Sequence, residues 1–166
     1  MTDEILHQTT QIIQTNFAQT PYPGDDNIGW GCGSEGYELG KAFRGKHWKE
    51  LSVELLLQHR WQIPCTTSQG FRFYIPAWML ATFSQYDKLI EPVVFNLSPP
   101  IGSDMRDHFL KHVAAFTPQE KFAILTFLQT LRELHPLDYE MELDLLPEEL
   151  QKLVRAIAFW KSESKV

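Results

Sequence analysis

A chain of 166 residues, 43% of them hydrophobic and 22% charged, is long enough to bury a core of its own and too apolar to stay disordered. Its net charge of −6 excludes the usual electrostatic route to a phosphate backbone, so no nucleic-acid partner is expected. Aromatic residues make up 13%, including eleven Phe and five Trp, which points to a core or a binding face built from rings.

Helical spacing of Ile5, Leu6, Ile12, Ile13 and Phe17 predicts an amphipathic first helix, with Thr2 or Asp3 to cap it. Pro21, Pro23 and Gly24 stop it. Residues 20–36 then hold five of the nine glycines, at positions 24, 29, 31, 33 and 36, and read as one long Gly/Pro-rich ordered loop. Ser34 is placed to cap a short helix carrying Tyr37, Leu39, Ala42 and Phe43, and a second helix after Gly45 carries Trp48, Leu51, Leu55 and Leu56 up to Pro64. In the aromatic segment 66–83 the expectation is a turn capped by Thr67, a break, and a helix restarting at Pro76. The alternation of Phe71, Phe73 and Ile75 also suits a small extended element.

Residues 97–102 form a connector too short and apolar to separate domains. Thr117-Pro118-Gln119-Glu120 has the order of a capping box, and it opens a helix through Phe122, Leu125, Leu128 and Leu131 that Pro136 ends. Asp138, Glu140, Glu142 and Asp144 alternate with Tyr139, Met141, Leu143 and Leu145, the period of a half-buried extended segment with an acidic face. A last helix starts at Pro147 and aligns Leu150, Leu153, Val154, Ile157 and Trp160.

Three of these segments, Tyr22-Pro-Gly-Asp-Asp-Asn-Ile28, Gly70-Phe-Arg-Phe-Tyr-Ile-Pro-Ala77 and Thr117-Pro-Gln-Glu120, carry a resemblance. The chain resembles a family of bacterial proteins known only as a domain of unknown function. The motifs are aromatic and structural rather than catalytic. The resemblance implies a bacterial cytoplasmic protein and transfers no activity, substrate or site.

Several motifs imitate chemistry without its setting. Gly31-Cys-Gly33-Ser-Glu-Gly36 spells GxGxxG, yet it follows Pro-Gly-Asp-Asp-Asn instead of a strand, and Asp25 and Asp26 repel a phosphate. Gly40 to Lys46 spells the GxxxxGK of a P-loop, but His47 stands where a Ser or Thr must reach magnesium. Lys41, Arg44, Lys46 and Lys49 form a basic cluster that reads as a solvated helix face. His108 and His112 share a helix face with Asp104 one turn earlier, a partial metal set lacking the glutamate of HExxH, so no metal and no cofactor are expected. Cys32 and Cys65 form no CxxC pair, and two free buried thiols are the expectation. The start Met1-Thr2-Asp3-Glu4 is acidic where a secretory signal is basic. No apolar run approaches the roughly 18 residues of a membrane span, so a cytoplasmic protein without a membrane partner is expected.

The fold expected is mainly α, a single globular domain of six to eight helices over residues 1–166, with one small extended element at most. Binding is favoured over catalysis. The loop supplies Tyr22, Asp25, Asp26, Asn27, Trp30 and Glu35 as a candidate binding surface for a protein partner, of regulatory or immunity type. The alternative is a small-molecule enzyme using the carboxylates of Asp25, Asp26 and Glu35. Trp30 is either an exposed contact or a plug in the core.

Overall fold

The computed structural model describes residues 1–30, 33–135 and 147–165. Among them lie eight α-helices: α1 (Thr2–Asn16), α2 (Ser34–Phe43), α3 (Val53–Gln58), α4 (Ser68–Ser84), α5 (Tyr86–Leu97), α6 (Arg106–Ala115), α7 (Pro118–Leu134) and α8 (Glu148–Glu163). Two 3-10 helices, Trp48–Glu50 and Arg60–Cys65, flank α3. The fold is mainly α, and extended pairing among the described residues is limited to one antiparallel bridge between Gly29 and Thr66. The acidic segment predicted to be extended, with Pro136 before it, falls outside the described residues.

Local signals fix several ends. Thr117 accepts from the Glu120 amide at 3.1 Å while the Glu120 carboxylate accepts from the Thr117 amide at 2.8 Å, which completes the expected capping box of α7. Thr67 caps α4 by accepting from the Gly70 amide at 2.9 Å. The expected caps of α1 are not made: the helix already includes Thr2, and Met1 precedes it. Ser34 is the first residue of α2 rather than its cap, a place taken by Gly33 at φ 56°. The single helix expected from Gly45 to Pro64 is instead three short elements, Trp48–Glu50, α3 and Arg60–Cys65, the first two started by caps at His47 and Ser52.

Neither the break at Pro76 nor the extended reading of residues 71–75 is found. Helix α4 runs through Pro76, and every residue from Phe73 to Met79 is buried. An interior proline forfeits a backbone bond and costs about 3 kcal/mol. Burying a large apolar side chain returns roughly 1.5–3 kcal/mol, and this stretch buries several. A helix covered on all sides carries no 3.6 period, so its Phe71, Phe73 and Ile75 imitate a strand.

Helix α4 packs against α1, α3, α5 and α6, while α7 lies against α1 on one side and α8 on the other. One apolar cluster extends from Ile13 on α1 to Trp160 on α8. Its largest rings keep their polar atoms bonded: the Trp78 indole donates to the Leu56 carbonyl at 3.0 Å and the Trp160 indole to that of Leu97 at 2.7 Å. A buried carboxylate ties three segments together. Glu120, 1% exposed, takes the Arg72 Nε at 2.8 Å and the hydroxyl of Thr20, besides capping α7.

Candidate functional site

The described part of the long loop before residue 31 is held in place because its backbone is bonded to the chain between α3 and α4. The Trp30 amide donates to the Cys65 carbonyl at 2.7 Å, the Thr67 amide to Ile28 at 2.9 Å and the Thr67 hydroxyl to Asn27 at 2.7 Å. Ile28, 1% exposed, plugs the core beneath it. The glycines allow the approach. A Cβ on Gly29 would overlap the Gly36 carbonyl, and one on Gly36 would stand 2.7 Å from the Trp30 oxygen. Gly29 and Gly36 therefore serve backbone packing of the loop on α2, whereas Gly24 and Gly33 have open space around them and positive φ.

The candidate binding residues of the loop divide between two faces. Tyr22, Asp25 and Asp26 lie on the α2 side. The Tyr22 phenol donates to Asp25 at 2.6 Å and accepts from the Gly45 amide at 2.8 Å. Its pKa is raised by burial, and further by the bond to Asp25. Asp26 meets Arg44 at 2.8 Å on the surface, with side chains 94% and 57% exposed. Such a pair contributes roughly 0–1 kcal/mol. Asp25, Asp26, Tyr37, Lys41 and Arg44 border a depression of about 270 Å³ whose charges already face one another. The exposed Asn27 holds Thr67 through its carbonyl. Glu35, also exposed, lies 3.9 Å from the sulfur of Cys65. That sulfur is in a disulfide, so the free buried thiol expected at Cys65 is not found. Cys32, the other thiol of that expectation, lies outside the described residues.

Trp30 points to the other face. It is 47% exposed and rests on the His108 ring, with centroids 5.0 Å apart. It is a surface ring rather than a core plug. His108 in turn lies 4.3 Å from the His112 ring, one turn further along α6. Burial lowers the His112 pKa to about 4, helped by the neighbouring His108, and burial lowers that of His108 as well, helped by Lys111. Both rings are therefore neutral at pH 7. The Ser68 hydroxyl lies 3.2 Å from His112 Nδ1, while the Nε2 atoms of both histidines are buried without a hydrogen-bond partner.

This pair borders a cavity of about 380 Å³ between the ends of α5, α6 and α8. Phe95, Pro99, Ile101, Met105 and Phe109 give it apolar walls, and α8 brings two positive charges, Lys152 and Arg155, and one negative, Glu148. Phe95, Ile101 and Met105 are themselves exposed, so the apolar face continues from the cavity to the surface. None of these wall residues stands out in the sequence, because they come from four separate segments. Phe95 and Ile101 are the signals that could have been noticed, as large apolar residues beside a proline-rich connector.

The partial metal set does not close. Asp104 precedes α6, is exposed, and meets the Ser103 hydroxyl at 3.3 Å. Among the described residues no group of three or more His, Cys, Asp or Glu is placed to hold a metal ion. The 31–36 motif runs into α2, which covers Ser34 to Phe43, whereas the 40–46 motif starts inside α2 and runs out of its end, and no strand among the described residues precedes either. Among the described residues no helix is long and apolar enough to cross a membrane.

Comparison with known proteins bears on ancestry rather than activity. No curated protein and no solved structure matches the chain. A family model does match, over residues 32–163. The segments 70–77 and 117–120 that carry the sequence resemblance fall within that span, and the loop 22–28 precedes it. With most of its length matched, the chain belongs to the family of unknown function DUF6714.

Proposed function

We propose that this protein is a protein-binding module of regulatory or immunity type, with Trp30 as the centre of its contact surface. The observation that carries this is the setting of Trp30: a large ring, 47% exposed, on a backbone anchored at Cys65 and supported from below by His108. A rigid aromatic side chain held in place before contact adds area at small entropic cost, which is why Trp is common among residues that dominate interfaces. Phe95, Ile101 and Met105 extend the apolar surface beyond it.

The enzyme reading from loop carboxylates has less support. Asp25 bonds Tyr22, Asp26 bonds Arg44, and Glu35 lies by Cys65, so the three acids are not gathered around one space.

The test uses Trp30→Ala beside wild type, each immobilised and exposed to extract of the source cell, with bound proteins quantified. A partner retained by wild type and lost by the variant is expected, with stability nearly unchanged. A loss of about 3–5 kcal/mol, the cost of removing a core ring, would overturn the reading. So would equal capture by the two proteins.

A further inference from the structure

The cavity between α5, α6 and α8 has features that the Trp30 surface does not use. Its volume of about 380 Å³ suits a small organic molecule, and its walls are chiefly aliphatic and aromatic. Burial lowers the pKa of both imidazoles bordering it, that of His112 to about 4, so neither favours a positive charge there.

The charges on the α8 wall are unequally used. Lys152 already pairs with Glu148 at 3.1 Å, and its ammonium lies 5.6 Å from the centre of the Phe95 ring. Arg155 lines the same cavity, and its guanidinium donates at 3.1 Å to Gln151, a neutral amide. A guanidinium presents a planar fork of donors that matches a carboxylate in two parallel bonds. An apolar cavity with such a fork on one wall is complementary to a molecule that is apolar along its body and anionic at one end. Glu148 also lines the cavity, but Lys152 already answers it at 3.1 Å. The charge left facing a ligand is that of Arg155, which a cationic head would meet unfavourably and a neutral head would leave unanswered.

We propose that this cavity binds a small apolar monocarboxylate, its body against Phe95, Ile101, Met105 and Phe109 and its carboxylate on Arg155, with Lys152 as the second cation. This goes beyond the protein-binding reading and does not rest on it. The two share Phe95, Ile101 and Met105, but Trp30, which carries that reading, is not among the residues lining the cavity, and Arg155, which carries this one, is no part of that surface.

The probe is octanoate, compared with octanol and octylamine, titrated into the full chain by calorimetry with melting temperature as a second readout. Saturable binding of one octanoate per chain is expected, with a rise in melting temperature and weaker or no binding of the other two. Arg155→Gln should weaken octanoate at least tenfold. Ile101→Glu, at a position 87% exposed and so without consequence for the core, should do the same by placing a negative charge at the mouth. Octanol or octylamine binding as tightly as octanoate would overturn the proposal. So would unsaturated uptake at several sites, or octanoate affinity untouched by both substitutions.

Discussion

The α-carbon of Gly36 faces the Trp30 carbonyl so closely that a methyl group there would stand 2.7 Å from the oxygen. On the other side of the same contact, a Cβ on Gly29 would overlap the Gly36 carbonyl. Two backbones thus meet with no side chain between them. Gly29→Ala and Gly36→Ala should each cost about 1–3 kcal/mol or more, since the overlap is with rigid backbone. Gly102→Ala, where the added atom meets nothing within 4 Å, should stay within about 0.5 kcal/mol of wild type. Urea denaturation of the three variants checks the order.

Replacing Glu120 by Ala removes the partner of Arg72, the acceptor for Thr20 and half of the α7 capping box in a single change. With the carboxylate 2% exposed and Arg72 21% exposed, the expected loss is about 3–5 kcal/mol, the range for breaking a buried pair. Thr117→Ala breaks the cap alone and should cost about 1 kcal/mol. Equal losses in the two variants would show that the capping box, not the link among the three segments, is what Glu120 contributes.

Stability should fall as the medium is acidified from about pH 6.5 towards pH 4. His112 has a folded pKa of about 4 against an ordinary value of 6.5, so between those values the unfolded chain binds the proton and the folded one does not. Unfolding is then favoured by acid, and the contribution is complete above pH 6.5 and lost by pH 4. The difference in pKa corresponds to on the order of 3 kcal/mol for this group. The slope of stability against pH in that window, from denaturation at several pH values, should flatten in His112→Phe. An unchanged slope in that variant would place the acid sensitivity elsewhere.

What the sequence disclosed follows from how local each signal was. The α7 capping box lies within four consecutive residues, so Thr117 and Glu120 could be read directly. Helix α4 misled because burial on every side erased its periodicity, and because the burial that offsets Pro76 is a tertiary effect no short window contains. The loop was legible as a loop from its glycines, but their role was not. Gly29 and Gly36 reveal nothing of each other until the chain brings them together. Trp30 could be read as core or surface, and its position over His108, 78 residues later, decides the matter. The cavity was hidden for the same reason, its walls being drawn from residues 64 to 155.

The Glu120 carboxylate also marks a difference between the span matched by the family model and the span that packs as one core. Its partner Thr20 lies upstream of residue 32, where the family match begins, as do Ile13 and Phe17, both 0% exposed, and Thr9, whose hydroxyl meets that of Thr130 at 2.7 Å inside the protein. A polypeptide trimmed to residues 32–163 would keep the whole of the family match and yet strip α1 from the side of α7. The span that the family model matches is therefore shorter than the span that packs together, and the first thirty residues belong to the core although the match begins after them.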